Sequence, residues 1–216
     1  MTIVESWFIP LDILMIIPIT LAVILGMIFL IVISIDKTCH TVPMMFTANR
    51  LLSAFVLGCV LLSLCVFTLI NDLRQVQYQD SLCVFRGYMV YAVGAAQNYS
   101  NAVEAFYRYV LVVYPSRLYF RSIRFQALII CISWIISFIY AFAFLFNDEI
   151  IYNVDNQICQ LPLRLSFSIL YMSFFTYGIP ILLIVFYYFK LEEFEDSMGN
   201  VVNKRTYDDL RKQGLL

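Results

Sequence analysis

Histidine occurs once in this sequence, at His40, tryptophan occurs twice, and charged residues fill only 13% of the 216 positions. A lone histidine beside Cys39, with no second Cys/His pair nearby, does not make a zinc site, so no metal is read. Catalysis also lacks its parts. No nucleophile stands with a base and no pair of aspartates lies within an apolar run, so the chain is read as neither an enzyme nor a holder of a cofactor. A basic patch is missing as well: positions 191–216 hold six acids against four bases, which gives nucleic acid no footprint. No internal repeat is visible, which sets aside a transporter built from matched halves.

What fills the chain instead is apolar. Hydrophobic residues make up 62% of it, and mean hydropathy is +0.83, far outside soluble usage. Runs at about 13–35, 51–70, 84–113, 125–146 and 165–189 each approach or exceed the roughly 20 residues that carry a helix across a bilayer. They are continuous, whereas the strands of a membrane barrel would alternate polar with apolar residues. The expectation is an all-α membrane protein: a short outer segment 1–12, a five-helix domain 13–190 and a polar tail 191–216.

The N-terminal stretch MTIVESWFIPLD carries two acids and no basic residue, so it lacks the start of a cleavable signal and the first run is read as retained. Lysine and arginine sort by loop. Arg74, Arg86 and Arg164 fall on one side and the other eleven on the opposite side. The positive-inside rule then places the N-terminus outside and the C-terminus in the cytosol, and the plasma membrane is the expected location. With that topology only Cys83 and Cys159 face outward. Two outer thiols fit one disulfide, or two unpaired cysteines of small apolar character.

Glu104 and Arg108 stand four apart near the inner end of the third run, with the acid first, the better order for a helical ion pair. Arg108 lies 25 residues beyond Cys83, about 37 Å along a helix. That depth is the inner headgroup boundary. An arginine there is either a topological anchor flanked by the interfacial aromatics Tyr107 and Tyr109, or part of a functional motif.

The landmarks around it resemble those of the rhodopsin-type (class A) G-protein-coupled receptors. Cys83 followed by YRYVLVVYP at 107–115 has the spacing of that family's cysteine, Asp-Arg-Tyr motif and trailing proline. Trp134 stands where the fourth helix has its lone tryptophan. Cys159 stands in the next outer loop, and Pro180 with Tyr188 lies in the fifth helix. Asn49 falls at the family's second-helix asparagine. The resemblance implies a seven-helix receptor architecture, a Cys83–Cys159 disulfide, and a G-protein-facing motif of Glu104, Tyr107, Arg108 and Tyr109.

Some family positions depart from the pattern. The sodium-binding aspartate of the second helix is Ala54, and the helix-one asparagine is Met27. The acid before the arginine is Tyr107, which leaves Glu104 as the candidate to restrain Arg108. The position where amine receptors hold an aspartate is Val90, so the ligand is not expected to be a biogenic amine. Arg86, Val90, Tyr91 and Arg164 outline a pocket for an acidic or peptide ligand, or else the two arginines meet headgroups. The amides of Gln97, Asn98 and Asn101 are read as interhelical hydrogen-bonding groups. After Lys190 no further apolar run follows, so the sequence reads as a receptor truncated after its fifth helix and unable to couple alone. Its expected partners are membrane lipid, a heterotrimeric G protein by resemblance, and helices of other receptors. The competing function is a five-span accessory protein that associates with other receptors.

Overall fold

In the computed structural model, residues 8–36, 41–74, 78–114, 118–154, 157–162 and 166–212 are described. They form five long helices: α1 (Phe8–Ile35), α2 (Val42–Arg74), α3 (Cys83–Val113), α4 (Ile123–Phe146) and α5. The last runs as Phe167–Met172, a π-helical turn Ser173–Gly178, and Ile179–Lys212. A short hairpin, β1 (Ile151–Asn153) with β2 (Ile158–Gln160), lies between α4 and α5. The chain is an all-helical membrane bundle with this one small antiparallel exception.

Among the described residues, α1, α2, α4 and α5 are long and apolar enough to cross a membrane. Helix α3 is more polar, yet at 31 residues it is about 46 Å long, enough to span. Its polarity follows from its place. It packs against α2, α4, α5 and both strands, so its polar groups meet protein rather than lipid. Small residues line its buried face, with Ala92, Ala95, Ala96, Ser100, Ala102 and Ala105 nearly inaccessible. Small side chains let neighbouring backbones approach where lipid supplies no hydrophobic drive between helices. The outward faces of α1, α4 and α5 carry the large apolar side chains, such as Ile17, Ile139 and Phe189.

Proline explains how α5 is joined to the rest. Pro180 has no N–H, so the carbonyl of Thr176 four residues earlier loses its helical donor. In lipid such an orphan must be satisfied from elsewhere. Asn98 of α3 donates through Nδ2 to the Thr176 oxygen at 3.0 Å, and Tyr99 Oη donates to the Phe175 carbonyl at 3.0 Å. Thr176 Oγ1 in turn donates to Tyr140 Oη on α4 at 2.8 Å. The π turn therefore sits where α3 and α4 offer replacements for its missing backbone bonds. Asn98 thus has the interhelical role read from sequence.

At the opposite end from Arg108, Cys83 and Cys159 form a disulfide with Cα atoms 5.4 Å apart. It ties the start of α3 to β2. One turn later Gly87 allows the hairpin to lie directly on α3, because a Cβ there would come 2.5 Å from the Cys159 carbonyl oxygen. The polar stretch after Lys190 continues the fifth helix through Lys212, a structure its composition did not announce.

Candidate functional site

The inner half of α3 gathers the charges singled out above. Glu104 Oε1 accepts from Arg108 Nη2 at 2.6 Å, and Glu104 Oε2 accepts from Arg50 Nη1 of α2 at 2.8 Å. One carboxylate is thereby held between two guanidinium groups on neighbouring helices. Its side chain is 17% exposed, while Arg50 and Arg108 are 51% and 56% exposed. Such solvent-facing pairs contribute little stability, typically about 0.5 kcal/mol each. Their consequence is orientation. Arg108 also reaches Tyr188 of α5, Nη1 to Oη at 3.5 Å, a contact at the limit of a hydrogen bond.

The two tyrosines flanking Arg108 point elsewhere. Tyr107 is buried, its ring 4.8 Å from that of Phe46 on α2. Tyr109 packs edge-on to Tyr114 and lies 5.6 Å from Tyr187 of α5. The motif thus divides: one tyrosine anchors α3 to α2, the other to α5, and the arginine between them faces out. Pro115, the trailing proline of that motif, lies outside the described residues.

One turn toward the bundle centre, Asn49 joins three helices. Its Nδ2 donates to Ser100 Oγ on α3 at 2.8 Å, and its Oδ1 accepts from Trp134 Nε1 on α4 at 2.8 Å. Ser100 passes its own proton to the Ala96 carbonyl at 2.7 Å. Asn49 and Arg50 are consecutive on α2, and their partners Ser100 and Glu104 are one turn apart on α3, so two neighbouring rungs lock the same pair of helices. Sequence reading had singled out Asn49, Trp134, Glu104 and Arg108 but missed Arg50 and Ser100. The available signal was the second oxygen of the Glu104 carboxylate, free to accept once Arg108 takes the first, with Arg50 the basic residue at the inner end of the adjoining helix.

The residues proposed to outline a ligand pocket are spread over two faces of α3. Arg86 turns toward α2, its Nη2 2.9 Å from Asp80 Oδ2 and its guanidinium 4.4 Å above the Phe67 ring. It borders an apolar cavity of about 340 Å³ between α2 and α3, lined also by Phe55, Cys59, Ser63, Phe85 and Met89. Tyr91 turns the other way and accepts the Leu161 backbone N–H at 3.0 Å. Val90 is half-buried between them, and Arg164 lies outside the described residues. Among the described residues, no group of three or more histidine, cysteine or acidic side chains is placed to hold a metal ion.

Two kinds of similarity mark the chain. A short one covers 25 residues, 12% of its length: 76% identity to Splicing factor 3A subunit 3 of Homo sapiens and of Mus musculus, and 72% to that of Drosophila melanogaster. The chain spans about 5% of the length of these curated relatives. The long one is to the family model described as 7 transmembrane receptor (rhodopsin family), which matches residues 14–194. That match runs from the second turn of α1 to one turn past Lys190 and takes in the disulfide, the Asn49–Trp134 bond and the Arg108 cluster. The chain belongs to the rhodopsin family of seven-transmembrane receptors.

Proposed function

We propose that this receptor-family membrane protein presents Arg108 at the cytosolic face, held closed by Glu104, and that its five helices alone do not promote nucleotide exchange on a G protein. The observation that carries the reading is the double ion pair Arg50–Glu104–Arg108. In the family pattern the carboxylate next to the arginine restrains it. Here that neighbour is Tyr107, buried against Phe46, and the carboxylate one turn earlier fills the role from the same helix. The resemblance assigns the outward swing that admits a G protein to a sixth helix, and the described residues hold five. Val90 offers no carboxylate to an amine ligand, and Arg86, already paired with Asp80, borders an apolar cavity. The positive-inside pattern supports an N-terminus outside the plasma membrane and a cytosolic end beyond α5.

We infer further that the 25 residues shared with the splicing factor fall within 190–216, since every other window of that length overlaps one of the five apolar runs. This polar helix then has an origin separate from the receptor body, whose family match stops at 194.

The test is guanosine 5′-thiotriphosphate binding by heterotrimers of each coupling class, with the purified chain in lipid nanodiscs. Exchange no faster than with empty nanodiscs is expected. Stimulated exchange by the chain alone would overturn the proposal.

A further inference from the structure

The end of the bundle that carries the disulfide also gathers a buried carboxyl group, a half-buried one and a buried amide. Asp72, near the end of α2, is 5% exposed, and Gln157, just before β2, is 6% exposed. Gln157 adopts φ of 54°, a left-handed conformation that non-glycine residues adopt at a cost. It donates through Nε2 to Asp72 Oδ1. Asp12, on the first turns of α1, lies close enough to Asp72 for the two carboxyl groups to interact directly. Tyr152 on β1 completes the group. Burial, and after it the charge on Asp72, holds its phenol above the usual tyrosine range.

Three oxygens of this cluster are buried without a hydrogen-bond partner among the described residues: Asp12 Oδ2, Gln157 Oε1 and Tyr152 Oη. Buried polar atoms are seldom left so. Nor does either aspartate take part in an ion pair among the described residues; Arg86, on the first turn of α3, is engaged by Asp80. Two carboxyl groups in contact cannot both be ionised without positive charge between them. The Gln157 amide decides the reading, because its nitrogen already serves Asp72 while the oxygen of the same buried amide has no partner among the described residues.

The donor set is all oxygen: two carboxylates, an amide carbonyl and a phenol, contributed by α1, α2 and the hairpin. Zinc prefers nitrogen and sulfur, and magnesium demands near-octahedral order, while calcium accepts irregular shells of six to eight oxygens completed by water. We propose that Asp12, Asp72 and Gln157, with Tyr152 at the edge, form a calcium site that fastens the disulfide-bearing hairpin to the first two helices. Its affinity would be that of extracellular modules, with a dissociation constant of about 10⁻⁴ to 10⁻³ M. The site does not depend on the signalling reading, since it would bind metal whether or not the chain acts on a G protein.

The test uses the full chain in nanodiscs of neutral lipid, titrated with calcium chloride against N-methylglucamine chloride of equal ionic strength. At ten times the dissociation constant the melting temperature should rise by about 3–5 °C. Terbium luminescence, sensitised by nearby tyrosine and displaced by calcium, should report the same midpoint. Asp12→Asn should abolish both responses. Gln157→Glu, which adds a carboxylate oxygen, should lower the calcium midpoint, a gain that misfolding cannot produce. Equal calcium responses in wild type and Asp12→Asn would overturn the proposal. So would a calcium-insensitive wild type, the result expected if the two aspartates share a proton or the orphan oxygens hold only water.

Discussion

Replacing Asn49 with alanine should loosen three helices at once, and the structure gives the size of the effect. Asn49 is 6% exposed and makes two 2.8 Å hydrogen bonds, one to Ser100 and one from Trp134. Their losses are unequal. Ser100 keeps its own donated bond to Ala96, so it forfeits only an accepted proton. Trp134 Nε1–H loses its acceptor in a half-buried, apolar setting, and an orphaned donor of that kind costs about 1–3 kcal/mol. Interhelical bonds in membranes average nearer 0.6 kcal/mol, because the unfolded chain in lipid finds other partners. Together these give about 2 kcal/mol for Asn49→Ala. For a chain of this length that lowers the melting temperature by about 4–8 °C. The assay is thermal denaturation in nanodiscs followed by size-exclusion chromatography, on Asn49→Ala, Trp134→Phe and the double variant. Trp134→Phe keeps much of the ring packing against Phe138 but removes the donor. The double variant should fall short of additivity by about 0.6–1.7 kcal/mol. Additivity within about 0.3 kcal/mol would refute the claim that this bond couples α2 to α4.

Asn98→Leu strands the Thr176 carbonyl and should cost about 1–2 kcal/mol; adding Pro180→Ala, which restores a backbone donor to that carbonyl, should recover part of the loss in the same melting assay. Gly87→Val places a side chain against the Cys159 carbonyl and should cost about 1–3 kcal/mol, with a smaller oxidised fraction of Cys83–Cys159 on non-reducing gels. Cys159→Ser opens a closure of 76 residues. Chain entropy sets about 4 kcal/mol as the ceiling of that loss, and melting should show less because inserted helices already restrict the unfolded chain. Glu104→Gln should change melting by under about 1 kcal/mol, since both its partners are exposed, yet raise basal nucleotide exchange in a seven-helix receptor chimera carrying α1 to α5.

The helices were legible because lipid demands long apolar runs, and the runs of α1, α2, α4 and α5 satisfy that demand without help from tertiary structure. Helix α3 was legible for a different reason: landmarks at Cys83 and Arg108 fixed its ends while its polar residues obscured its hydropathy. The limits of α2 were not legible. It starts at Val42, well before the apolar run, because Pro43 is compatible with a first helical turn, where no backbone donor is needed. That early start brings Arg50 onto a helix face opposite Glu104, so a residue that composition marks only as a topological charge becomes an ion-pair partner. The hairpin escaped notice because three-residue strands leave no alternation to read. The Asn98–Thr176 bond joins residues 78 apart, and no local pattern reveals which amide will answer a proline on another helix.

The proposed orientation sets the disulfide end of the bundle outside the cell and the Arg50–Glu104–Arg108 end within it. Reporter cysteines placed at Ser81, beside the disulfide, and at Lys190, at the other end of the bundle, test it through reaction with a membrane-impermeant maleimide. On intact cells Ser81→Cys should react and Lys190→Cys should not, the latter reacting only after permeabilisation. Labelling of Lys190→Cys on intact cells, with Ser81→Cys silent until the membrane is opened, would contradict the account.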